Sequence, residues 1–139
     1  MSALSSQFKF VINTGTSTAT SVAIPSTTLA PDGGTYFKSI QEKGDGYFGA
    51  ADGLHTVTFT VTPNFVGTLT MQASLATEPS EADWFDVNDT TIEYKTTTIP
   101  ATTTTNYFNF TGNFVWVRAV VQRSSDQPNG SVNWVNYNH

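Results

Sequence analysis

The predicted fold is decided by one stretch of the chain, Phe108-Asn-Phe-Thr-Gly-Asn-Phe114-Val-Trp116-Val-Arg118-Ala-Val-Val121. From Phe114 onward both alternating sets of side chains are apolar, and only Arg118 interrupts them. A short run that is rich in aromatic and β-branched residues and is bounded by glycine and a polar loop is typical of a strand covered on both faces. We therefore expect a central strand with one face on the core and the other on a second sheet or another subunit.

Shorter strand patterns lie on both sides of this stretch. The clearest runs from His55 to Thr62, where apolar residues alternate with threonines, and a second alternating run covers residues 68–75. Because Pro63 and Asn64 are a turn signal between these runs, we expect the two to pair as a hairpin. The other predicted strands cover residues 8–12, 19–24, 36–40, 84–87, 92–94, 107–110, 114–122 and 132–137.

The spacing of these runs predicts the fold class. About ten short strands with turn signals every 8–12 residues are typical of an all-β, jelly-roll-like antiparallel β-sandwich. No long window has helical periodicity, so helix is expected only as a turn near Pro79. Residues 1–7 are expected to form a flexible arm, and residues 8–139 a single domain.

Composition limits the classes of function. Charged residues make up 12% of the 139-residue chain, about half the usual share, and the net charge is −5 with six Lys and Arg residues. This balance argues against a nucleic-acid-binding surface. Few charges also remove the lysines that normally protect sheet edges. The edges are therefore expected either to be hidden within the fold or to be covered by neighbours in an assembly.

Other compositional signals concern the cellular compartment. The chain has no cysteine, so nothing suggests a disulfide framework or a thiolate metal site. The N-terminal residues lack the basic and apolar regions of a signal peptide, so synthesis in a cytoplasm is expected. No run approaches the ~18 apolar residues of a membrane-spanning helix, and no membrane partner is expected.

A group of five acidic residues around Trp84 and Phe85 could carry chemistry. The group consists of Glu78, Glu81, Asp83, Asp86 and Asp89. It could form a glycosidase-like pair, a calcium site, or a solvated loop that leads into a strand. The solvated loop is favoured because spacing alone supports neither of the other two, and no cofactor or metal ion is expected.

Two further motifs argue against an enzyme. Glycines at 44, 46 and 49 spell a dinucleotide-binding pattern, but the loop from Lys43 to Gly53 leads into a strand rather than a helix, so a mobile surface loop is expected. His55 is expected at the surface or in a turn, because no nucleophile-elbow motif accompanies it.

Five residues are the candidates for core or interface positions: Phe114, Trp116, Arg118, Trp84 and Trp134. Arg118 requires partners, since an unpaired guanidinium in an apolar strand is strongly destabilising. Those partners would be backbone carbonyls or a carboxylate such as Glu93 or Asp86, or Arg118 would lie at a subunit interface. The aromatic residues are expected in the core, with a sugar-stacking platform as the alternative.

Residues 55–139 resemble a small β-sandwich virion protein of tailed bacteriophages, particularly those of cyanobacteria and other marine hosts. The resemblance is carried by the segments 65–79, 83–87, 110–119 and 130–139. It implies a non-enzymatic component of the phage particle, such as a head decoration, neck, tail or baseplate protein. The implied partners are other virion proteins and copies of this chain, with synthesis in the host cytoplasm.

Two other classes of function stay open. One is a carbohydrate-binding or host-receptor-binding module, which would expose Trp84, Trp134 and several tyrosines in one row and could bind a host-surface glycan. The other is a β-sandwich hydrolase, which would need a concave site with convergent carboxylates.

Overall fold

The computed structural model of the protein describes residues 5–12, 21–26, 28–48, 53–124 and 130–138. The strands are β1 (Ser5–Gln7), β2 (Tyr36–Lys38), β3 (Glu42–Lys43), β4 (Leu54–Val61), β5 (Gly67–Ser74), β6 (Phe85–Asp86), β7 (Ile92–Tyr94), β8 (Thr104–Thr111), β9 (Trp116–Arg123) and β10 (Val132–Asn138). The helical elements are α1 (Asp45–Phe48) and a 3-10 turn, Glu81–Asp83. The predicted all-β sandwich is confirmed.

The strands form two antiparallel sheets. The four-stranded sheet has the order β1-β10-β4-β8. In the six-stranded sheet, β9 and β5 are the central pair. Strands β2 and β3 pair with the other side of β9, and strands β6 and β7 pair with the other side of β5. Apolar side chains from both sheets meet in a single core, and Phe37, Phe59, Leu69, Val121 and Val135 are among its fully buried members.

Strand β9 is central, as predicted, although it begins at Trp116 rather than Phe114. The inner face of β9 carries Val117, Ala119 and Val121, which have no exposed surface. The outer face carries Arg118, which is only 6% exposed. Polar side chains from neighbouring segments cover this outer face, so the predicted second sheet or subunit is not needed to bury Arg118.

The predicted hairpin between residues 55–62 and 68–75 is wrong. Strand β4 pairs with β10 and β8 in one sheet, whereas β5 pairs with β9 in the other. The turn between them carries the chain from one sheet to the other. In this turn Asn64 has a left-handed φ of 71°, and Phe65 is fully buried. Alternation of apolar and polar residues indicates which face of a strand is buried, but it does not identify the partner strand.

Two regions outside the main strands differ from the predictions. Ser5–Gln7, predicted as part of a flexible arm, pair with β10, because the polar segment adds an edge strand through backbone hydrogen bonds. The loop predicted between Lys43 and Gly53 is not simply a surface loop, since Gly44 and Asp45 are buried and α1 lies within it. A Cβ atom on Gly44 would collide with the backbone carbonyl of Phe114, so close packing explains this glycine. Residues 49–52 lie outside the described part.

His55 lies in the core, which corrects its predicted surface position. Its ring is 1% exposed and is stacked against Phe110 and Tyr137. Its Nδ1 lies 2.7 Å from the Tyr137 hydroxyl, and its Nε2 lies 2.7 Å from the carbonyl oxygen of Gly112. Both polar atoms of the ring are therefore satisfied inside an aromatic cluster, which Phe114 joins at 6.0 Å between ring centroids.

A second arginine of β9, Arg123, is 2% exposed and was not predicted as a structural residue. Its Nη1 and Nη2 donate hydrogen bonds to the carbonyl oxygens of Thr28 and Pro25 at 2.7 and 2.6 Å. Burial lowers the pKa of its guanidinium. Arg123 thereby attaches the segment that precedes β2 to the end of the central strand.

The edges of the two sheets differ in length and charge. The strands of the four-stranded sheet contain no Asp, Glu, Lys or Arg. One edge of this sheet is the three-residue β1, and the other is the eight-residue β8. The edges of the six-stranded sheet are short strands of two or three residues that carry charges at Lys38, Glu42, Lys43, Asp86 and Glu93.

The role of Arg123 is tested by Arg123→Ala. This change should lower the free energy of unfolding by about 2–4 kcal/mol, because it removes two hydrogen bonds and leaves a cavity. Urea unfolding measures the change, with the exposed neighbour Gln122→Ala as the control, expected within about 0.5 kcal/mol of wild type. Equal effects of the two substitutions would contradict the structural role.

Candidate functional site

A groove lies over the outer face of the six-stranded sheet and has a volume of about 590 Å³. We call it the Arg118 groove, and it is lined by Val11, Pro31, Asp32, Tyr36, Lys38, Ser39, Ile40, Gln41, Glu81 and Arg118. It is a concave site in the described residues that combines an aromatic ring with basic and acidic side chains.

Arg118 forms the floor of this groove and is held by two neighbours. Its Nε donates a hydrogen bond to Gln72 Oε1 at 2.8 Å, because Gln72 lies opposite it on β5. Its Nη1 and Nη2 donate to the two carboxylate oxygens of Glu81 at 3.3 and 3.2 Å. This forked pairing fixes both planar groups relative to each other. The carboxylate partner of Arg118 is thus Glu81. The predicted carboxylate partners, Glu93 and Asp86, do not fill this role.

Trp84 and Trp116 support this arrangement from the sides. The guanidinium carbon of Arg118 lies 4.3 Å from the centroid of the Trp84 ring, which is cation–π geometry. Trp116 donates a hydrogen bond from its indole nitrogen to the carbonyl oxygen of Thr77 at 2.9 Å, and thereby holds the segment that precedes the 3-10 turn. Both tryptophans are half-buried on the outer face of the sheet, which corrects the prediction of a core position.

The 3-10 turn presents Glu81 to the groove. Asp83 accepts hydrogen bonds from the backbone nitrogen and the hydroxyl of Ser80 at 2.8 and 3.1 Å, which closes the turn. Glu81 also accepts a hydrogen bond from Lys38 Nζ at 3.2 Å. The Glu81 side chain is nevertheless 68% exposed, so its carboxylate remains accessible to a ligand.

Tyr36 forms an aromatic wall of the groove. It is 36% exposed, and Gln72 Nε2 lies 3.5 Å from its hydroxyl. Gln72 Nε2 also donates to Asp86 at 2.9 Å, so one amide connects Arg118, Tyr36 and Asp86. Tyr36 and Arg118 are therefore both held in the groove by contacts with the same amide.

The electrostatics of the groove favour ionised Glu81. The hydrogen bond from Arg118 lowers the pKa of the Glu81 carboxyl, with a further contribution from Lys38. Burial raises the pKa of Tyr36, so its phenol stays neutral and can donate a hydrogen bond. The groove thus presents a carboxylate acceptor, an ammonium donor and a neutral phenol side by side.

The two other predicted site residues lie elsewhere. Phe114 packs in the aromatic cluster around His55. Trp134 is 40% exposed on β10, and it shares the outer face of the four-stranded sheet with Tyr107, which is 69% exposed. Trp84 is on the opposite sheet, and Tyr137 is buried. The single row of exposed aromatic residues that the sequence suggested for a sugar-binding platform therefore does not form.

The acidic residues near Trp84 do not converge on one point. Glu81 pairs with Arg118, Asp83 with Ser80 and Asp86 with Gln72. In the described ranges, no group of three or more His, Asp or Glu side chains is arranged to hold a metal ion. None of the helices in the same ranges is long and apolar enough to cross a membrane.

A second groove of about 590 Å³ lies beside the ends of β4 and β8. Its lining includes the exposed side chains of Leu54 and Phe85, together with Asp86 and Asp89. It contains no basic side chain. The Arg118 groove is the better candidate site because it offers hydrogen-bond donors and acceptors in fixed positions next to an aromatic ring.

No protein-family model and no curated protein matches the chain. A similar solved structure is the C-terminal family 6 carbohydrate-binding module of a marine laminarinase from Zobellia galactanivorans, with 9% identity and a TM-score of 0.48 over 97% of this chain and 99% of that chain.

Two further similar structures are also carbohydrate-binding modules. A family 29 module from Piromyces equi has 14% identity and a TM-score of 0.47 over 100% of this chain and 93% of that chain. A family 35 module from Cellvibrio japonicus has 12% identity and a TM-score of 0.46 over 99% of this chain and 94% of that chain. At these identities and TM-scores, the likeness assigns neither a family nor a ligand to this chain.

Proposed function

We propose that this protein is a non-enzymatic binding module that holds a glycan in the Arg118 groove. The observation that supports this function is the fixed array of Arg118, Glu81 and Lys38 beside the partly exposed Tyr36. Binding sites for small ligands combine apolar walls with a few convergent polar groups, and this groove has both.

Each part of the array suits a part of a sugar. A pyranose ring has an apolar C–H face, which can pack on the Tyr36 ring. Its neighbouring hydroxyls can donate to the Glu81 carboxylate and accept from the Lys38 ammonium, and hydrogen bonds to charged groups are about twice as strong as neutral ones. Because Arg118 already fixes Glu81, little side-chain entropy is lost when a sugar binds.

The protonation state of Glu81 argues for binding rather than hydrolysis. A glycosidase requires one carboxylic acid whose pKa is raised, so that it can protonate the leaving group. The pKa of Glu81 is instead lowered by Arg118. The other carboxylate of the groove, Asp32, accepts a hydrogen bond from the Gly34 backbone nitrogen at 2.8 Å within its own loop. Glu81 therefore serves as an acceptor for hydroxyl groups.

A second candidate function is assembly into a bacteriophage particle, which the sequence resemblance suggests. The observation that favours it is the eight-residue edge strand β8, which carries none of the charges that normally prevent sheets from joining. The two candidates are compatible, since a subunit of a phage particle can also bind a glycan on the host surface.

The glycan proposal predicts the effect of removing the wall of the groove. A glycan array with the wild-type protein identifies a binding oligosaccharide, and isothermal titration calorimetry then measures its affinity. Tyr36→Ala and Glu81→Gln should each weaken binding at least about tenfold, a loss of about 1.4 kcal/mol. The control is Trp134→Ala, which removes an exposed aromatic residue from the opposite sheet and should leave binding unchanged. Equal loss in the control, or no binding to any glycan, would contradict the proposal.

The pH dependence of binding provides an independent prediction. Because the folded-state pKa of Glu81 is lowered, the carboxylate and its interactions persist below the ordinary value of 4.5 and are lost only as pH falls through the lowered pKa. Glycan affinity should therefore stay constant from neutral pH down to 4.5 and decline below it. Glu81→Gln should abolish this decline. A decline in glycan affinity centred above pH 4.5 would show that another group controls binding.

The assembly proposal predicts that the protein is part of purified phage particles. Particles from a gradient should contain the chain at a fixed ratio to the major capsid protein, and electron microscopy should locate it at repeated positions. A chain found only in the lysate, outside particles, would exclude this function.

A further inference from the structure

Strand β8 differs from the other sheet edges that the structure describes. Natural proteins protect sheet edges with short strands, charges, proline or bulges, and the other edges use shortness or charge. Strand β8 has eight residues, no charged side chain, no proline and an unbroken register with β4. In the described residues, no strand pairs with its outer side.

The register shows which backbone groups of β8 point toward the free edge. Gly112 donates a backbone hydrogen bond to Gly53 at 3.0 Å, and the same register continues through β8. In an antiparallel pair, hydrogen-bonded and non-hydrogen-bonded positions alternate. The even-numbered residues of β8 therefore bond to β4, whereas Thr105, Tyr107 and Asn109 direct their N–H and C=O groups outward. All three side chains are exposed.

We propose that two copies of this chain join through their β8 strands, antiparallel across a twofold axis at Tyr107. In this register Tyr107 pairs with Tyr107 of the partner subunit, and Thr105 pairs with Asn109 of the partner subunit. All outward backbone groups of these residues then form hydrogen bonds, and the two four-stranded sheets become one continuous eight-stranded sheet.

The side chains of this register are self-complementary. A Thr–Asn cross-strand pair already exists within the chain, where Thr56 Oγ1 donates to Asn109 Oδ1 at 2.7 Å. The amide nitrogen of Asn109 remains available for a second threonine. Tyr107, which is 69% exposed, would gain an aromatic neighbour. Neither copy places a charged side chain of β8 at the junction, so the net charge of −5 carried by each chain lies elsewhere.

A second copy fits this edge better than an unrelated strand. Pairing across a twofold axis uses the same surface on both subunits and closes after two copies. The interface is small, so a weak dimer with a dissociation constant of about micromolar or higher is expected. Because the Arg118 groove lies on the other sheet, it does not take part, and its ligand binding is independent of the dimer.

The full chain tests this proposal by sedimentation velocity over a range of concentrations. Wild type should convert from monomer to dimer as concentration rises. Tyr107→Pro removes one outward N–H without touching the ladder to β4 and should abolish the dimer. Tyr107→Lys should do the same by like-charge repulsion, and it decides the result if the proline variant fails to fold. The control, Trp134→Lys, adds the same charge to the same sheet face two strands away and should still dimerise.

Three outcomes would overturn the proposal. They are a wild-type chain that stays monomeric at millimolar concentration, a dimer that both Tyr107 variants retain, and open-ended oligomers rather than a closed pair. Amide exchange provides a second measurement, since the amides of Thr105, Tyr107 and Asn109 should exchange more slowly as dimer forms. Unchanged exchange in a dimer would place the interface elsewhere.

Discussion

The buried guanidinium of Arg118, on the outer face of β9, must be paired, and this constraint shapes the rest of the structure. The inner face of this strand is apolar and fully buried, whereas the outer face holds the guanidinium of Arg118 at nearly the same depth. A buried charge is tolerated only when it is paired and hydrogen-bonded. Gln72 on the neighbouring strand and Glu81 on the 3-10 turn meet this requirement. Because Glu81 must reach Arg118, the turn lies over the sheet and forms one wall of the groove.

The two sheets consequently have different chemistry. The six-stranded sheet collects charged side chains at its edges and on its outer face, and these build the candidate glycan site. The four-stranded sheet carries no charged side chain on any strand, which leaves its eight-residue edge open to pairing through the backbone. The two proposed binding surfaces therefore lie on different sheets and share no residue.

The sequence predicted which faces of a strand are buried, but it did not predict which residues from other segments contact them. The sequence correctly placed β9 at the centre, because two apolar faces require cover on both sides. It predicted that Arg118 needs partners, but it pointed to Glu93 or Asp86, since Glu81 reaches the guanidinium only after the 3-10 turn folds over the sheet. His55 was misplaced for a similar reason. A histidine at a strand start appears polar until Tyr137 and Gly112, both distant in sequence, satisfy its nitrogens. The resemblance to phage virion proteins remains a hypothesis about context.

Native-state amide hydrogen exchange measured by NMR tests the central position of β9 most directly. If β9 holds the fold together, the amides of Arg118 and Val120, which point toward β5, exchange only through global unfolding, with the same free energy as urea unfolding. The amides of the short strands β2, β3, β6 and β7 exchange earlier, through local opening. Exchange of the β9 amides at a lower free energy than those of these edge strands would contradict the account.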